Sequence, residues 1–172
     1  MHKTTALLLG FILAVGFTAC GGDDGAAFEG TYEVTRHTLN DAACDAEGPD
    51  VAGGETHFKL EMGDLMGFPI LQYFPCTSAT ECDDISDFFF TKMSGDWIMQ
   101  VTSSYELNDE CNLEDTNGSL EGTELGVSIE VKTSQAVITP SGGEECDPDL
   151  VDTYRDQMQC TEYEIVEGTL LP

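Results

Sequence analysis

Positive charge is almost missing from this chain. Six Lys and Arg stand against 33 Asp and Glu, for a net charge of −27 over 172 residues. A body this acidic repels phosphate, which argues against a nucleic-acid partner and against simple adsorption onto anionic lipid. Histidine is nearly as scarce: beyond residue 2 there are only His37 and His57, neither beside a Cys or Ser. There is no G-x-S-x-G, no H-E-x-x-H, no phosphate-binding glycine loop and no C-x-x-C. General acid–base chemistry and thiolate metal sites therefore have little to rest on, and we expect no enzyme, no catalytic residue, no metal and no cofactor. A carboxylate-based hydrolase is the alternative, but 33 acids make any one pairing arbitrary. Also absent is an apolar run of the ~20 residues a helix needs to cross a bilayer. Aromatic and β-branched residues are not lacking. Phe88, Phe89 and Phe90 are consecutive, and Val127, Ile129 and Val131 alternate, so the chain reads as folded rather than disordered.

The N-terminus is the most informative stretch. It reads MHKTTALLLGFILAVGFTAC, with Lys3 as a positive lead, an uncharged apolar core over 6–17, and small residues before Cys20. That is the pattern of a cleaved export signal. The segment Phe17-Thr18-Ala19-Cys20 resembles the lipobox of bacterial lipoproteins. The resemblance implies a signal peptide over 1–19, cleavage before Cys20, a lipidated Cys20 thiol, and a new amino group acylated with a fatty acid such as palmitate. Gly21, where many inner-membrane lipoproteins carry Asp, implies the outer membrane of the bacterial cell envelope. Residues 20–27, with GGDDGAA after the cysteine, would be the tether, and 28–172 a single domain.

Six further cysteines remain: Cys44, Cys76, Cys82, Cys111, Cys146 and Cys160. An even number in an exported chain implies three disulfides.

Apolar alternation predicts strands starting near 31, 55, 87, 96, 111, 124, 134 and 161, about seven or eight in all. Tyr32 and Val34 share a face, with Arg36 falling on it and paired to a carboxylate. Phe58, Leu60 and Met62 face in, which leaves His57 solvated. Ser94-Gly95 predicts a tight hairpin between 87–93 and 96–105, and Asn117-Gly118 a type I′ turn. Ser134-Gln135 predicts another turn. Residues 64–74 suit a short helix broken by Pro69. Residues 149–159 suit a second helix, with Asp149 as its N-cap. If the strands run up and down, the positions of the cysteines predict the pairs Cys44–Cys76, Cys82–Cys111 and Cys146–Cys160.

These expectations describe an all-β antiparallel barrel or sandwich with one or two short helices. The F-x-G-x-Y opening (Phe28, Gly30, Tyr32) and a late helix before one last strand resemble a lipocalin. That resemblance implies a meander closed into a cup that binds a small apolar molecule. Tyr32, Phe58, Phe88, Phe90, Trp97, Met99 and Tyr105 are the candidates to line it, or simply to fill the core. Calcium has no well-formed loop in this sequence. Residues 113–124 match EF-hand offsets in part but begin with Leu113, and the acids of 144–149 read as a solvated loop. The expected function is a lipid-anchored envelope lipoprotein with a binding or structural domain, and the alternative is a carrier of a small apolar molecule. Its one implied partner is the membrane, reached through the lipid.

Overall fold

Alternating side chains decide the architecture. In the computed structural model, which describes residues 24–42, 44, 46–108, 110–139 and 145–172, nine strands form one antiparallel sheet. They are β1 (Gly30–Asn40), β2 (His57–Leu65), β3 (Phe68–Ser78), β4 (Glu81–Cys82), β5 (Phe88–Met93), β6 (Asp96–Leu107), β7 (Glu110–Gly122), β8 (Gly126–Ile138) and β9 (Gln159–Leu170). Apart from β4, each strand pairs with the next, and β9 returns to β1, so eight strands close into an up-and-down barrel. β4 pairs only with the end of β3. The predicted leader, Cys20 and the start of the tether lie outside the described residues.

Closure leaves an interior about as wide as its own side chains. Tyr32, Phe58, Leu71, Phe90, Trp97 and Ile129 are among those that fill it. The two ends of the barrel differ. At one end the connections are tight. Met66 and Gly67 (φ 56° and 89°) turn β2 into β3, and Ser94 and Gly95 (φ 56° and 104°) turn β5 into β6. Two successive positive φ angles suit the twist of a two-residue hairpin. A 3₁₀ turn, Asp24–Phe28, seals this end. Gly25 lies so close beneath the barrel that a Cβ would sit 2.5 Å from the Trp97 ring. The Tyr32 hydroxyl donates to the Phe28 carbonyl at 2.7 Å, and the Met62 N–H to Glu29 at 3.0 Å. The opposite end, the mouth, carries the long connections 41–56, 79–87 and 139–158.

A second, smaller core lies outside the barrel. Helix α1 (Leu150–Tyr154) lays Val151 on the outward faces of Leu113, Ala136 and Ile138. The 3₁₀ turn that follows, Arg155–Gln157, brings Arg155 onto buried Asp115, and Arg155 also holds Asp152 at 2.8 Å.

Several expectations need correction. Residues 64–74 are not helical: they make the β2–β3 hairpin and most of β3. Ile70 and Phe74 are buried as well as inward-facing Leu71 and Tyr73, so the period of two is erased. Asn117-Gly118 is not a turn but the middle of β7, where Gly118 leaves room for Met99: a Cβ there would meet its methyl at 3.0 Å. Ser134-Gln135 is not a turn either. β8 runs straight through it, with only a bulge in its pairing to β9. Asp149 makes no side-chain cap; its own N–H is held by Asp147 at 2.9 Å. A bulge between Val34 and Arg36 puts Arg36 on the outer face, where it meets Glu167 at 2.7 Å and also Glu47.

Three disulfides are present, but none is a predicted pair: Cys44 joins Cys160, Cys76 joins Cys82, and Cys111 joins Cys146. Because 68–78 is a strand, the strands near 87, 96, 111 and 124 start at the opposite ends from those expected, and the false turn at Ser134-Gln135 restores the expected end only for the last strand. Register explains the observed pairs. Cys76 and Cys82 are direct partners across the β3–β4 pair. Cys44 follows β1, whose neighbour β9 begins beside Cys160. All six cysteines lie at the mouth.

Candidate functional site

One row of rings organises the interior. Tyr32 on β1 stacks on Phe58 of β2 at 5.0 Å, Phe58 on Tyr73 of β3 at 5.1 Å, and Tyr73 on Phe88 of β5 at 4.5 Å. Phe90 then meets Phe88 edge-on at 5.5 Å. Tyr32 faces Phe58, and Tyr73 faces Phe88, as register partners, so the stack follows from one inward aromatic on each of four adjacent strands. Gly168 makes room for it: a Cβ there would lie 2.6 Å from the Phe58 ring.

The row ends at a seam. β5 and β6 pair only through Thr91–Ile98, Lys92–Trp97 and Met93–Asp96. Above that, β6 keeps its ladder on the β7 side, and a cleft of about 320 Å³ opens between the two strands. Inward-facing Phe88, Met99 and Val101 line it together with Phe89, Thr91, Met93, Ile98 and Gln100 of the outer face and with Ser86 and Asp87. Its size is that of a small-ligand pocket.

Above the ring row the interior becomes polar. The β1 bulge turns His37 to the inner face beside Val166, and its Nε2 lies 2.5 Å from Glu164 Oε1. The Tyr73 hydroxyl donates to Glu55. Burial pushes the Tyr73 hydroxyl pKa up, and the Glu55 charge pushes it further. Burial also raises the Glu55 carboxyl, more than the Tyr73 hydrogen bond lowers it. Glu162 is raised by burial first, and then by Glu164 and Glu114. Among the described residues, Glu55 Oε1 and His37 Nδ1 are buried with no hydrogen-bond partner. The mouth is therefore a ring of crowded carboxylates above an aromatic floor. Such a surface can take an apolar body and offer acceptors to its polar end.

Of the candidate lining residues, Tyr32, Phe58, Phe88, Phe90, Trp97 and Met99 come together in the barrel core. Tyr105 does not: it is exposed near the far end of β6. Only Phe88 and Met99 among them reach the cleft. The sequence reading missed Tyr73, Glu55, Glu164 and the inward turn of His37. Tyr73 was hidden in the segment read as a helix, and His37 by a bulge that composition does not announce. Among the described residues no three metal-ligating side chains converge. The EF-hand-like spacing at 113–124 falls mainly along β7, where Asp115 is taken by Arg155.

The chain matches no protein-family profile, no curated protein and no solved structure.

Proposed function

We propose that this chain is a lipid-anchored lipoprotein of the bacterial cell envelope, held at the outer membrane through Cys20, with a barrel that binds or builds rather than catalyses. The observation that carries this reading is the division of the seven cysteines. Six pair with one another at the mouth of the barrel, as suits an oxidising compartment, and the seventh stands at the end of an export leader in a lipobox-like setting. The test is Cys20→Ser. The wild-type chain is expected in the membrane fraction and the variant outside it. A variant that still fractionates with membranes defeats the anchor.

A second reading, a carrier of a small apolar molecule, is favoured by the seam. The stacked row stops at Phe88 with an apolar cleft beside it, so a flat apolar ligand would extend the stack by one ring. Native mass spectrometry of protein taken from envelopes is expected to show an added mass that Val101→Trp, which fills the cleft, removes. A bare protein mass from both chains contradicts this reading.

A further inference from the structure

The sealed end of the barrel carries exposed apolar side chains at each of its corners. Met66 is 92% exposed and Phe68 70%, beside Leu65 in the β2–β3 hairpin. Met93 is exposed at the β5–β6 hairpin, Leu125 is 74% exposed at the β7–β8 connection, and Leu170 is exposed where β9 ends beside the start of β1. Leu125 and Leu170 are neighbours: the Leu170 N–H donates to the Leu125 carbonyl at 3.2 Å. The chain enters the barrel in the middle of this rim. The Asp24–Phe28 turn lies against Met62 at the foot of β2, Trp97 at the foot of β6 and Gly122 at the end of β7.

We infer that this rim is a membrane-seating surface, pressed into the lipid interface by the anchor. The inference rests on the proposal that Cys20 is lipidated. Three observations select lipid as the occupant. First, Cys20 precedes Asp24 by four residues, and an extended chain spans at most about 14 Å over that length. A lipid on Cys20 therefore leaves the rim within about one headgroup layer of the bilayer. Second, the charge is graded along the barrel. The mouth connections 41–56, 79–87 and 145–158 hold at least thirteen acids among the described residues, whereas the sealed end holds six, Asp24, Glu29, Asp64, Asp96, Glu121 and Glu124. The end with fewer carboxylates suffers least near phosphates. Third, a rim of separated apolar tips around a polar-edged turn suits a fluid interface better than a second copy of a body charged −27. The mouth, the seam and all three disulfides then face away from the membrane.

The lipidated chain in vesicles of phosphatidylcholine brominated on its acyl chains tests this. The wild-type protein, whose only tryptophan is buried Trp97, sets the baseline. Phe68→Trp and Leu125→Trp replace exposed side chains at the rim, and Leu107→Trp replaces an exposed side chain at the mouth. The first two are expected to lose about half of their added emission to the bromine or more, and Leu107→Trp to keep its emission. The mass of the Cys20 peptide is read from the same samples. If Cys20 carries lipid and the rim tryptophans are quenched no more than Leu107→Trp, the seating surface is overturned while the anchor stands. If Cys20 carries no lipid, the anchor reading falls and the seating surface falls with it.

Discussion

Gly168 and Glu55 show how single residues set the barrel interior. Gly168 faces inward on β9 where the Phe58 ring and the Tyr32 Cβ come within reach of any added methyl, at 2.6 and 2.9 Å. Neither ring can move without disturbing a stack that runs through four strands. Gly168→Ala is therefore expected to cost about 1–3 kcal/mol, the range for overpacking a filled core. Urea unfolding checks it, and an unchanged midpoint would mean that the stack yields. Glu55 acts through charge. Its carboxyl pKa is raised in the fold above the ordinary 4.5, by burial first. The folded state thus binds more protons than the unfolded state in the window from 4.5 up to the raised value, so stability falls as pH climbs through that window. Glu162, raised for the same reason, acts in the same direction. The protein is expected to be more stable at pH 5 than at pH 7, opposite to a domain held by salt-bridged carboxylates. Glu55→Gln should flatten the dependence by removing one contributor. Thermal melts of both chains across pH 4–8 decide this, and parallel curves would count against a raised Glu55.

At the scale of elements, the bridges do unequal work. Cys76–Cys82 closes a separation of 6 residues, Cys111–Cys146 one of 35, and Cys44–Cys160 one of 116. In the chain-entropy model these stabilise by roughly 2, 4 and 5 kcal/mol respectively. Paired Cys→Ser replacements are expected to lower stability in that order, and non-reducing peptide mapping should return these three pairs. The Cys111–Cys146 bridge also ties down the strap that carries α1. Behind it, Arg155 covers Asp115, whose burial would otherwise leave a carboxylate unpaired. Arg155→Ala is expected to destabilise, and adding Asp115→Asn to recover part of the loss. A double variant worse than the single would mean that Asp115 matters for packing rather than charge.

Which elements were legible from sequence has a physical basis. The β5–β6 hairpin and the first half of β8, around Val127, Ile129 and Val131, bury one face only, so their alternation survives in the sequence. β3 buries residues on both faces and lost its period. The Asn-Gly pair in β7 carries a turn signal, yet Gly118 serves a close approach to Met99. The disulfide pairs depended on strand parity: the unrecognised β3 put Cys82 and Cys111 at the wrong end, and with all six cysteines at the mouth, end alone does not choose partners. The polar mouth depended on a bulge in β1, and its His37–Glu164 pair spans 127 residues of chain that no local pattern connects.

The whole molecule is a barrel with two unlike ends. The mouth is acidic and holds all three disulfides. The other end is sealed by the chain's own N-terminal turn and edged with apolar tips. Mild reduction is expected to loosen the mouth first. Amide exchange should quicken in 46–56 and 145–149 while the hairpins at 65–68 and 93–96 keep their rates, and faster exchange at those hairpins would contradict the division of labour. Under the proposed anchoring the sealed end faces the membrane and the mouth faces away from it, and that arrangement depends on Cys20. The most direct measurement is the mass of the N-terminal peptide of the protein purified from cell envelopes. The account predicts a chain that begins at Cys20, with a lipid on its sulfur and a fatty acyl group on its new amino terminus. A chain that retains residues 1–19, or that begins elsewhere with Cys20 absent or unmodified, would contradict it.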